Sequence, residues 1–221
     1  MLVSKLCGGH MSASHLQRRS LLALVAALTT SQAGQAFGQD ANAVVAPIQR
    51  FYGALLTIMK AGRATAFTQR YNTLAPALEQ ALNVPVILQT AVGFAWPTFP
   101  ASAQSSLLTA FRHYTVATWV SNFDSYSGQR LEVLPQLRSV GQSQVVYTEI
   151  MKSDGSSSVI NFVMRPAGGG WKATDVLLDG TISQVAVLRS DFLGLVVRGP
   201  GALAENLEQK ATDLMGGTSP M

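Results

Sequence analysis

The sequence predicts an α+β domain in which helices come first, four antiparallel strands follow, and helices return at the end. Three observations carry this. Apolar residues recur every three or four positions across residues 44–123; after Gly128 the period drops to two, in four runs separated by Gly-, Ser- and Asp-rich turns; helical spacing resumes from Ile182. Parallel βαβ units would alternate strand and helix throughout, so the order implies an antiparallel sheet with helices on one face.

Residues 1–36 read as a cleavable export signal. Arg18-Arg19-Ser20 precedes an apolar run, residues 21–28, and small residues follow, ending Gly34-Gln35-Ala36. The paired arginines resemble a twin-arginine signal, although the lysine often found after such a motif is missing. Met11 would open a signal of ordinary length, and cleavage after Ala36 or Gly38 puts the mature N-terminus near Phe37 or Gln39. The apolar run is only about half of the ~20 residues that span a bilayer, and no later segment reaches that length uninterrupted, so no transmembrane anchor is expected.

A first amphipathic helix covers residues 44–59, with Val44, Ile48, Phe51, Leu55, Ile58 and Met59 along one face. After Gly62 the pattern returns over residues 63–82 through Phe67, Tyr71, Leu74, Leu78 and Leu82, and Pro76 is expected to kink or divide it. Residues 84–92 are apolar without a period that chooses between helix and strand, and the Pro-rich residues 93–100 read as an aromatic-bearing loop. Residues 102–123 form a long helix with a bulky apolar set. The strands follow at 130–140, 144–152, 157–165 and 171–178, joined by turns at 141–143, 153–156 and 166–170, where Asp-Gly and Gly-Gly supply the positive φ of tight hairpins. A meander is the simplest topology. Helices at about 182–196 and 202–214 complete a single domain of residues 40–215, and residues 216–221 read as a loose tail.

Composition narrows the function classes. Removing residues 1–36 takes away Lys5, Arg18 and Arg19 and no acid, so the net charge falls from +4 to +1. The remaining basic residues are scattered singly, which argues against a nucleic-acid partner. Cys7 is the only cysteine and lies in the signal, so the mature domain has no disulfide and no thiolate. Charged residues are 13% of the chain against a typical ~25%, while apolar residues are 48%. Such a chain has either a very full core or a cavity lined by apolar side chains.

Candidate chemistry is sparse. His113 is the only histidine after the signal, so no histidine pair can hold a transition metal, and no cofactor or metal motif is present. His113 is weighed as a general base or a head-group contact against a partly exposed helix residue. Asp175 and Asp179 flank the end of the last strand. Asp175 is weighed as the acid or base of an enzyme on a nuclear-transport-factor-like or cystatin-like cone, whose curved four-stranded sheet is followed by helices, against a residue that satisfies nearby donors. The aromatic residues Phe94, Trp96, Phe99, Phe111, Tyr114, Trp119 and Phe123 divide between core and pocket wall.

The stretch Trp171-Lys172-Ala173-Thr174-Asp175-Val176-Leu177-Leu178-Asp179-Gly180, followed by Ser183, Arg189, Phe192 and Leu207, resembles the MlaC family, also called toluene-tolerance auxiliary proteins. That family has a strand of the form Trp-x-x-x-Asp-Val-x-x-x-Gly leading into a helix with a spaced Arg and Phe, and its element order is similar to residues 43–214. Residues 114–133, with Trp119, Asn122-Phe123 and Ser127-Gly128, look more like the hopanoid-associated HpnM branch than the general phospholipid carriers. Ala173 and Thr174 depart from the pattern, being smaller or more polar than the aliphatics often seen there.

The resemblance implies a non-enzymatic periplasmic shuttle in a Gram-negative-type envelope. It would carry a lipid with acyl or hopanoid chains between an inner-membrane ABC transporter complex and an outer-membrane receptor, as a monomer without a cofactor. The candidate wall or core residues are Trp96, Phe111, Tyr114, Trp119, Phe123, Ile160, Phe162, Val176, Leu188 and Phe192. The strand positions rest on Ile160, Phe162 and Met164 sharing one face while Val159, Asn161 and Val163 take the other. A cone-fold enzyme using Asp175 or His113, and a non-catalytic envelope scaffold, are the competing readings.

Overall fold

Helix α1 (Ala33–Ala61) sets the core: Ile48, Phe51, Leu55 and Ile58 recur at its helical period and all are fully buried. The computed structural model describes residues 33–216. The export signal assigned to residues 1–36 therefore falls mostly outside the described residues, as do residues 217–221 of the tail. Helix α1 begins ahead of residue 44 because the Ala- and Gln-rich residues before it are themselves good helix formers.

Helix α2 (Phe67–Ala81) starts later than residue 63, since Gly62 adopts φ 63° and the chain turns before entering the helix. It runs through Pro76 without dividing and buries Leu74 and Leu78. Arg70, also buried, donates to the Val120 and Thr65 carbonyls at 3.2 Å. The ambiguous residues 84–92 are helical: α3 (Val84–Val92) is capped by Asn83, whose Oδ1 accepts the Val86 amide, and carries Pro85 in its first turn, where no N–H is missed.

The expected loop at 93–100 is instead largely a short 3-10 helix, Gly93–Thr98. The side chain of Gln104, on α4 (Ala101–Asn122), donates to the Trp96 and Phe99 carbonyls and ties this proline-containing segment to the helix that follows.

The sheet is an antiparallel meander of β1 (Arg130–Val140), β2 (Ser143–Met151), β3 (Ser157–Ala167), β4 (Gly170–Leu178) and β5 (Ile182–Ser183), in that spatial order. It has five strands where four were expected. Asp179 and Gly180 take φ 49° and 74°, so the chain folds back at once and pairs Leu178 with Ile182 and Leu177 with Ser183. Irregularities between Val133 and Leu137, around Pro135, and between Val163 and Met164 bend the strands.

The inward face of β3 carries Ile160, Phe162 and Met164, as the period of two requires; Val146 and Ile150 of β2 and Ala173 and Val176 of β4 join them in the buried core. Asn161, on the other face, is also buried, and its Oδ1 accepts the Thr148 amide at 3.2 Å. Helices α5 (Gln184–Val196) and α6 (Pro200–Met215) follow; α6 buries Leu203 and Leu207 and packs along α4, while α5 packs against α3. No helix among the described residues is long and apolar enough to cross a membrane.

Candidate functional site, an apolar cavity between sheet and helices

The sheet, α4 and α5 enclose a cavity of about 480 Å³, within the ~300–1,000 Å³ of small-molecule sites. One wall is a single stripe of α4: Phe111, Tyr114, Thr115, Thr118, Trp119 and Asn122 are separated by alternating steps of three and one, which keeps them on one helical face. Phe123, at the C-cap, and Ser125 and Gln129 of the following loop extend it. The sheet contributes Ile150, Ser158, Ile160, Val176 and Leu178, the β2–β3 hairpin adds Lys152, and α5 adds Gln184 and Leu188.

Met59 of α1, with Leu82 and Ile87 at the α2–α3 junction, completes the lining. That junction is tied to the sheet, because the Asn83 amide donates to the Ala173 carbonyl at 2.8 Å and Leu82 bridges Ala173 in parallel. The Lys172 ammonium adds a bond to the Glu79 carbonyl at 2.8 Å.

Polarity is graded along the cavity. Met59, Leu82, Ile87, Phe111, Ile150, Ile160 and Val176 are buried, while Asn122, Ser125, Lys152 and Leu178 are exposed and mark the mouth. Trp119 stacks on Phe123 with ring centroids 5.3 Å apart and planes at 17°, and meets Phe51 edge-on at 4.9 Å. The aromatic wall is thereby anchored to α1.

Of the ten residues singled out from the sequence, Phe111, Tyr114, Trp119, Phe123, Ile160, Val176 and Leu188 are brought together around this cavity. Trp96, Phe162 and Phe192 stand apart from it. Trp96 lies in the 3-10 segment against Phe99, and Phe192 sits edge-on to Phe111 at 6.1 Å, beside a wall residue. Phe162 is fully buried between Phe51 and Tyr52, at 6.4 and 5.9 Å, so α1 fills the space in front of it.

The lining residues that sequence reasoning missed include Met59 and Leu82, read only as apolar helix faces, Ile150, not singled out within its strand, and the polar ones at the mouth. The α4 spacing of Thr115, Thr118 and Asn122 was the one available signal, since these polar residues share the face of the aromatics.

Neither titratable candidate lines the cavity. His113 Nδ1 lies 3.1 Å from Glu208 Oε1, linking α4 to α6. Asp175 Oδ1 accepts the Val176 and Val185 amides at 2.8 and 3.1 Å, and Oδ2 accepts the Ser183 hydroxyl. The buried Tyr52 hydroxyl is paired with Thr148 Oγ1, which itself donates to the Ile160 carbonyl; burial pushes the Tyr52 pKa well above the ordinary phenol range, only partly opposed by that pairing. Among the described residues no group of three or more His, Cys, Asp or Glu is placed to hold a metal ion.

The family model described as MlaC protein matches residues 49–209, which include all the lining residues. The chain belongs to the MlaC family. Among solved structures this MlaC-family chain is similar to the phospholipid-binding protein from Ralstonia solanacearum, determined in complex with a phospholipid. The TM-score is 0.66 at 15% identity, covering 76% of this chain and 97% of that one. At that identity the likeness establishes a shared fold. No curated protein matches the chain.

Proposed function

We propose that this MlaC-family protein is a non-enzymatic lipid carrier that shields hydrocarbon in the cavity while the head group stays at the mouth. The observation that carries this is the graded lining, apolar and buried inside, exposed and mostly polar outside, where Leu178 is the apolar exception. Each methylene kept from water is worth ~0.8 kcal/mol, so a chain of about fifteen carbons represents on the order of 10 kcal/mol that a dry wall must replace before lipid leaves a bilayer. The phospholipid bound by the Ralstonia solanacearum protein of similar fold supports the reading.

The finer reading is a periplasmic shuttle between an inner-membrane ABC transporter complex and an outer-membrane acceptor. The export signal in residues 1–36 and the family support it. A hopanoid is the second ligand reading. The stacked Trp119–Phe123 pair offers a flat aromatic surface suited to a rigid fused-ring skeleton.

Organic extraction of the purified protein followed by lipid mass spectrometry tests both. Stoichiometric phospholipid or hopanoid is expected and its identity chooses between them. A protein that neither co-purifies with lipid nor takes it up from vesicles would end the carrier reading.

A further inference from the structure

We infer that the cavity mouth selects lipids whose head group carries a net negative charge, with Lys152 as the residue that reads it. The inference rests on the carrier reading and names its ligand class. Lys152 is the one charged residue among the described residues lining the cavity, and the polar residues that line it with Lys152, including Asn122, Ser125, Gln129, Ser158 and Gln184, are all neutral. When hydrocarbon fills the apolar interior, the head group is left at this rim. There it meets one ammonium, several neutral hydrogen-bonding groups and no lining carboxylate. A phosphate is served by that set, whereas the quaternary or primary ammonium of a zwitterionic head finds no anionic partner.

No acid among the described residues lines the cavity. Of those beside the rim in sequence, Asp179 follows Leu178 but is not part of the lining, Asp124 Oδ2 accepts from Arg63 Nε at 2.6 Å, and Asp154, which also feels the Lys152 charge, accepts the amide and hydroxyl of Ser156 through Oδ1 at 2.9 and 2.7 Å. The hairpin bearing Lys152 is held by its own backbone, since the Lys152 amide donates to the Ser156 carbonyl at 2.8 Å and the Gly155 amide to the Lys152 carbonyl at 3.1 Å. It also abuts the loop that carries Ser125 and Gln129: a Cβ placed on Gly128, at φ +94°, would lie 3.6 Å from Ser153 Cβ. The lysine and the neutral rim groups are therefore presented together.

The test is competition. Protein stripped of lipid is offered equimolar phosphatidylglycerol and phosphatidylcholine of identical chains, and the bound ratio is read by native mass spectrometry. An exposed charge contact sets about a three- to fivefold preference for phosphatidylglycerol in the wild type. Lys152→Gln should bring the ratio to near one, Lys152→Glu should invert it, Lys152→Arg should keep it, and high salt should weaken the preference in the wild type and Lys152→Arg while leaving the Lys152→Gln ratio unchanged. Circular dichroism checks that these exposed-hairpin variants stay folded. An even ratio in the wild type, or an unchanged ratio in Lys152→Gln, overturns the head-group assignment while leaving the carrier reading intact. Uptake of neither lipid by any variant overturns both.

Discussion

Ser183 donates its hydroxyl to Asp175 Oδ2 at 2.6 Å while its Oγ accepts the Ala186 amide at 3.0 Å, so one side chain both caps α5 and pins that helix to β4. Asp175 Oδ1 adds the Val185 amide at 3.1 Å. The pair fixes where α5 starts, and with it the cavity positions of Gln184 and Leu188. The Asp of the Trp-x-x-x-Asp-Val pattern is in this way a positioning residue for the wall.

Asp175→Ala removes the acceptor for all three donors and is expected to lower stability by about 2–3 kcal/mol, read as a shifted midpoint in urea denaturation, with bound lipid retained by the folded fraction. His113→Ala breaks only an exposed pair with Glu208 and should cost under about 1 kcal/mol. Unchanged stability in Asp175→Ala, together with loss of a measurable turnover, would instead favour an enzyme.

Val176 and Phe162 separate wall from core, though they face each other across β3 and β4. Val176→Arg places a charge against the apolar lining and should expel lipid while the circular dichroism spectrum stays native, because the long side chain can reach toward the mouth. Phe162→Glu buries a carboxylate among Phe51 and Tyr52 and should abolish cooperative folding. Retention of lipid by a folded Val176→Arg protein would show that the cavity is not the ligand site.

Tyr52 predicts an alkaline limit. Its folded pKa is raised by burial, so folding holds a proton that the unfolded chain releases above pH ~10; its contribution is fully present below that pH and is lost by about 1.4 kcal/mol per unit above it, until the folded pKa is reached. Tyr52→Phe should remove that slope from the pH dependence of the denaturation midpoint. An identical slope in the variant would assign alkaline unfolding to other groups.

Export is testable directly. Protein recovered from the periplasm should begin near Phe37 or Gln39 by intact-mass analysis, and Arg18 and Arg19 both replaced by Lys should block export only if the twin-arginine route is used. An uncleaved N-terminus on periplasmic material would refute the assignment of residues 1–36.

Much of the architecture was legible because it is written in local periods. The first strand was placed at its observed bounds, Arg130–Val140, and the turn at 153–156 fell where small and turn-forming residues cluster, while Ser143, read as the end of a turn, already belongs to β2. Residues 84–92 were ambiguous since nine apolar-rich residues fit either period, and the decision came from the Asn83 cap and the Ala173 bridge. Strand β5 was hidden because Ile182 also begins the helical apolar spacing, so two residues of pairing left no pattern of their own.

What the sequence by itself determined is the order of elements, the face each one buries, the family resemblance and the short supply of catalytic groups, all of which follow from residue type and spacing along the chain. What only the tertiary structure decided is depth. Ile160 and Phe162 share one face of one strand, yet Ile160 borders empty space while Phe162 is covered by Phe51 and Tyr52 from a helix about a hundred residues earlier. The mouth is likewise assembled from the α4–β1 loop, the β2–β3 hairpin and the start of α5. Period records which way a side chain points, a property of the local backbone, whereas a cavity is a place that distant elements fail to fill, which no local pattern encodes.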